Sequence, residues 1–185
     1  MALEKELHLQ EYTSFDEGLD KQYIISPMKF MVMHTFSFGL YSTWWAYKVW
    51  RFFIQREHSN SNAALRVVLG IFYFIPLCYR ILRLAKSKGY QCNYFPVLLF
   101  LFFLLTTVFG AMPPPMFFIW LFSGLFLLQP VMAFNFILSQ SPEVSVAADG
   151  KLTITEIFIV VLGGLTWFLI ILGTLAMIFL QTNPD

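Results

Sequence analysis

The chain has 185 residues, enough for one domain or one membrane bundle, and its net charge of +1 excludes the strongly basic balance of a nucleic-acid binder. Apolar residues make up 58% and charged residues only 12%, about half the charged share of an ordinary soluble domain. Twenty-two phenylalanines add to a composition that fits hydrocarbon better than water.

The charges are segregated. Residues 1–21 carry Glu4, Glu6, Glu11, Asp16, Glu17 and Asp20 against Lys5 and Lys21. This acidic stretch lacks a basic n-region and an apolar h-region, so residues 1–27 read as a polar tail without a cleavable signal. Ser26-Pro27 then offers a helix start, with proline where its missing N–H costs nothing.

Residues 28–88 read as a basic, aromatic helical hairpin. Its first segment, Met28 to about Gln55, places His34, Tyr41, Lys48 and Gln55 at sevenfold spacing, one polar stripe on a continuous helix. Nine of the eighteen residues from Phe36 to Phe53 are aromatic, the composition of a membrane interface. The second segment, Ala63 to Ser87, repeats the pattern with Arg66, Tyr73 and Arg80. Those arginines are separated by about 20 Å of helix, short of the ~30 Å hydrocarbon core. Eight of the twelve Lys and Arg fall between 48 and 88, opposed there only by Glu57.

From Gly89 to Pro142 no charged side chain occurs in fifty-four residues. With the last segment this predicts an all-α integral membrane protein, its bundle at 89–185 and three transmembrane helices at about 94–112, 116–138 and 157–180. Pro113-Pro114-Pro115 separates the first two. Counting bases gives eight inside and four outside if five segments cross, and all twelve inside if neither hairpin helix crosses; the positive-inside rule favours a second segment that stays on one side.

The functional residues follow from this map. Lys48, Arg51, Arg56, Arg66, Arg80 and Arg83 are candidates for binding anionic lipid or an acidic partner, each base near such a leaflet contributing about 1 kcal/mol. His34, Gln129 and Asn135 are candidates for a transport path in an oligomeric transporter or channel subunit. Gln129, Asn135, Thr106, Thr107 and Thr166 are expected to bond between helices, and Gly163-Gly164 to allow close packing. Met28, Met31, Met33 and His34 resemble a soft-metal cluster without a second half, so no metal or other cofactor is expected. Residues 149–156 match half of a calcium loop, but the simpler account is a turn and a capping box, Thr153 with Glu156. Cys78 and Cys92 read as buried free thiols. No Ser/His/Asp, Cys/His or HExxH pattern is visible, which argues for a non-catalytic interaction or membrane-organising protein over a membrane enzyme.

The block Gly39-Leu40-Tyr41, Trp45, Tyr47-Lys48 and Trp50 resembles a G-[LI]-Y-x-x-x-W-x-Y-K-x-W signature of small uncharacterised bacterial inner-membrane proteins. The run from Asn135 through Pro142 to Val161-Leu162-Gly163-Gly164-Leu165 is similar to their C-terminal half, so the resemblance covers most of residues 27–175. It implies a multi-pass protein of the bacterial cytoplasmic membrane and supplies no catalytic residues; membrane lipids, and a protein partner or a second copy, are expected from the charged and polar residues above.

Overall fold

The computed structural model describes residues 22–57, 62–113, 116–141, 146–147 and 153–182. Apart from a two-residue parallel pairing of β1 (Gln22–Tyr23) with β2 (Val146–Ala147), the described chain is helical. Two helices are long and apolar enough to cross a membrane, Met116–Ser139 and Ile154–Phe179. The expected third span is shorter: α5 (Pro96–Val108) and its 3-10 extension Phe109–Ala111 reach only about 24 Å at helical rise, below the hydrocarbon thickness.

The first apolar segment is not one helix. Ser26 caps α1 (Pro27–Phe36) by accepting the Lys29 N–H at 3.1 Å, with Pro27 in the first turn. The helix then stops. Phe38 and Gly39 both take positive φ, +51° and +80°, and the Gly39 N–H returns to the His34 carbonyl at 2.9 Å. This is a left-handed helix terminus, with glycine supplying the second positive φ. Phenylalanine in that region costs about 1–2 kcal/mol. Ring contacts at 4.9 Å with both Trp120 and Trp167 offset the strain.

The chain reverses there, and α2 (Leu40–Arg56) folds back along α1. Phe30 holds the pair together, meeting Tyr41 at 5.8 Å and Trp45 at 5.7 Å edge to face. The expected stripe therefore divides: His34 lies on α1, while Tyr41, Lys48 and Gln55 remain on α2.

This hairpin lies against the 3-10 helix Met116–Leu127 and α6 (Leu128–Ser139), which run on as one rod. Asn135 clamps the start of α1, accepting the Ile25 N–H at 3.2 Å and donating to its carbonyl at 2.7 Å. Residues three apart eclipse in a 3-10 helix. That lines up Phe117, Trp120 and Ser123, and the last two meet His34. Phe38 reaches Trp120, while Trp45 and Phe52 return to Phe134. Both ends of the hairpin therefore lie toward the Ser139 end of the rod.

The second segment also breaks, at Leu69, into α3 (Ala63–Val68), capped by Asn62, and α4 (Gly70–Ser87). The far end of α4 returns to the same end of the molecule, where Lys88 Nζ donates to the Gln140 carbonyl at 2.8 Å.

The last helix, α7 (Ile154–Thr182), begins beside the hairpin. Glu156 accepts the Thr153 N–H at 2.8 Å, the reach-back half of the expected capping box; Asp149 to Leu152 lie outside the described residues. The same carboxylate accepts the Tyr41 hydroxyl at 3.0 Å and pairs with Lys29 at 3.4 Å. Further along, Gly163 passes so close to the Phe36 carbonyl that a Cβ would collide with it. Beyond Trp167, α7 leaves the packed body, and Phe168, Leu172, Leu175 and Phe179 are exposed.

Candidate functional site

The basic candidates separate into two groups around α2. Lys48 lies over the rings of Trp44, at 4.5 Å, and Tyr23, at 4.9 Å. It lines a shallow polar cavity with Arg51 and the start of α7 at Thr153 and Thr155. Arg66 and Arg80 converge on Trp50, their guanidinium carbons 4.4 and 5.5 Å from its ring. Tyr73 meets the same indole edge to face at 6.1 Å. The stripe Arg66, Tyr73, Arg80 thus faces one residue, buried Trp50, which belongs to neither polar stripe. Arg80 also donates two hydrogen bonds to Glu57, at 2.7 and 2.8 Å. Arg56 is half-buried at the end of α2, and Arg83 is exposed on α4.

A cavity of about 340 Å³ lies beside Trp50 and Arg66. Its lining follows α2 from Trp50 through Ala46 and Ser42 to Gly39, a length of about 16 Å at helical rise. Phe74, Phe103 and Leu127 form much of the facing wall. It is an apolar trough with a guanidinium at one end and hydroxyls, from Ser42, Thr43 and Thr107, toward the other. Its size falls at the lower end of ordinary ligand pockets. Guanidinium stacked on indole is held in orientation and keeps its full positive charge beside the cavity.

The three transport candidates do not meet. His34 is buried, with Nδ1 on the Ser42 hydroxyl and Nε2 2.9 Å from the Ser123 hydroxyl. Asn135 is committed to the Ile25 backbone. Gln129 is exposed, beside a separate cavity lined by Asn93, Tyr94 and Phe126. The threonines differ from expectation too: Thr106, Thr107 and Thr166 donate to carbonyls of their own helices, where a hydroxyl reaches back one turn without a partner helix.

Of the two thiols, only Cys78 is buried; Cys92 is exposed in the turn after α4. Burial pushes the Cys78 thiol up to about 12. Among the described residues no group of three His, Cys, Asp or Glu side chains gathers as a metal site.

The pairing of His34 with Ser42 and Ser123 has no signature in the sequence. The partners are eight and eighty-nine residues away, and only the reversal at Phe38-Gly39 brings them together. The one legible sign was Gly39 itself, a glycine inside an apolar helical pattern, where it can end a helix.

No family model, curated protein or solved structure matches the chain.

Proposed function

We propose that this chain is a multi-pass protein of the bacterial cytoplasmic membrane that holds an anionic lipid at its basic end, headgroup against Arg66 and Arg80 and one acyl chain in the trough below. The observation that carries this reading is the pair of guanidinium groups on Trp50 beside an apolar cavity of about 340 Å³. A cation on an aromatic face suits a phosphate, and a wall of Phe and Leu suits a hydrocarbon chain.

In this reading 116–139 and 154–179 cross the bilayer, and 94–112 is a third, short crossing beside them. The α1–α2 hairpin enters and leaves by the cytoplasmic face, which leaves all twelve Lys and Arg on that side, as the positive-inside rule favours. Non-helical backbone at membrane depth is tolerated where protein surrounds it. The hairpin tip meets that condition: Ser37 is buried, its hydroxyl accepts the Tyr41 N–H at 2.9 Å, and its carbonyl accepts the Leu40 N–H at 3.1 Å.

The test is purification of the full chain in mild detergent, followed by native mass spectrometry and lipid extraction. Anionic lipid should co-purify, and Arg66→Gln with Arg80→Gln should remove it without impairing membrane insertion. Arg83→Gln, whose side chain is exposed and one turn from Arg80, should leave it bound. Lipid content unchanged by the double substitution overturns the reading.

A further inference from the structure

Ser42 is bonded differently from the threonine hydroxyls of the helices, which reach back to their own backbone. Thr43, its neighbour, donates to the Gly39 carbonyl, and Thr106 and Thr107 do likewise one turn back in α5. Ser42 instead meets Nδ1 of His34 across the hairpin. The imidazole is held at Nε2 by Ser123 and lies near parallel to the rings of Phe30, at 6.3 Å, and Trp120, at 5.9 Å. In the tautomer with the proton on Nε2, Nδ1 accepts from the Ser42 hydroxyl while Nε2–H donates to Ser123.

The backbone at Ser42 adds a third element. Ser42 is the third residue of α2, in the turn whose N–H groups lack intrahelical acceptors. Leu40 and Tyr41 send theirs to Ser37, and Thr43 sends its own to Gly39. The Ser42 N–H has no acceptor among the described residues. An unengaged N–H at the positive end of a helix stabilises a developing oxyanion. Ser42 also lines the trough described above, so a ligand there would contact it.

We propose that Ser42 is the nucleophile of an acyl-ester hydrolysis, with His34 as its general base, acting on an anionic amphiphile whose chain occupies the trough. The proposal rests on the lipid reading for its substrate class. Ser42 Oγ attacks the ester carbonyl carbon while its proton passes to His34 Nδ1, and the carbonyl electron pair moves to oxygen, beside the Ser42 N–H. Collapse breaks the bond to the alkoxy oxygen, which takes the proton from His34 and leaves as the alcohol. Water then attacks the acyl-Ser42 ester, gives its proton to Nδ1 and releases the fatty acid, with the proton returned to Ser42 Oγ. No oxidant or further reactant is required. Ser42 and Trp50 are two helical turns apart on α2, about 12 Å, which sets the separation of the ester carbonyl from the anionic group held at Arg66.

The experiment treats the detergent-purified full chain with an uncharged long-chain alkyl fluorophosphonate, maps the adduct by peptide mass spectrometry, and measures lipid content in parallel. Ser42 should be phosphonylated. Ser42→Ala should abolish the adduct and His34→Asn should slow it at least about a hundredfold, the scale of general-base catalysis. Thr166→Ala, outside the trough, should label normally and shows that loss of a helix hydroxyl does not by itself stop labelling. Retained anionic lipid in the Ser42 and His34 variants shows that they are folded. A wild-type chain that carries lipid but leaves Ser42 unmodified overturns the nucleophile and leaves the lipid reading standing. Labelled Ser42 in a chain without anionic lipid supports the nucleophile and overturns the lipid reading.

Discussion

Met116–Ser139 and Ile154–Phe179 are both apolar over more than twenty residues, yet much of the first is buried and little of the second. Hydropathy does not explain the difference, since the more exposed helix is also the more apolar. Small and polar residues do. The first helix offers Ser123 and Gly124 to His34, Pro130 and Ala133 to the core, and Asn135 to Ile25. The second has Gly163 at its close crossing of α1, but its outer half is a sleeve of Phe, Leu and Ile. One is the spine of the fold; the other is held near its start and otherwise faces its surroundings. In a bilayer such an outer half has hydrocarbon as its solvent.

The largest expected effect lies where Gly163 crosses the backbone of Phe36. Gly163→Ala drives a methyl group into the Phe36 carbonyl and should cost about 1–3 kcal/mol, read as a lowered unfolding midpoint in detergent. Gly173→Ala meets no atom within 4 Å and should be neutral or stabilising by up to about 1 kcal/mol through helix propensity. Equal effects at the two glycines would erase the distinction between the halves of α7. Next comes the spine: Asn135→Ala leaves the Ile25 N–H and carbonyl without their partner, a loss of about 1–3 kcal/mol that should accelerate amide exchange around residues 25–30. Smallest are truncations on the sleeve. Phe168→Ala and Leu172→Ala should shift stability by no more than about 0.5 kcal/mol in detergent, because the removed atoms touch little protein.

Much of the helical layout was legible. The Ser26-Pro27 start, the uncharged run, the pause at Pro113 and the Glu156 reach-back follow from local chemistry that one stretch of chain contains by itself. The continuity of helices was misread at Phe38-Gly39 and Leu69, because apolar periodicity persists across both breaks while the backbone does not. The span at 94–112 was overestimated in the same way: apolar composition continues to Met112, but α-helical geometry ends at Val108. The charged part of the site was partly visible as the stripe Arg66, Tyr73, Arg80, yet Trp50, which gathers that stripe, looked like one aromatic among many. The His34–Ser42–Ser123 contact was out of reach, since it depends on a chain reversal and on a 3-10 rod that aligns Trp120 with Ser123.

The re-entrant path of α1 and α2 is the claim on which the basic end and its trough depend, and accessibility of single thiols tests it directly. Met28→Cys and Glu57→Cys, each placed in a Cys92→Ser background, and Cys92 in the native chain should react with a membrane-impermeant maleimide from the same side of the membrane. Met112→Cys in that background should react from the other side, and Cys78, buried with its thiol pushed up to about 12, from neither. Labelling of Met28→Cys and Glu57→Cys from opposite sides would mean that the segment crosses, and would contradict the account.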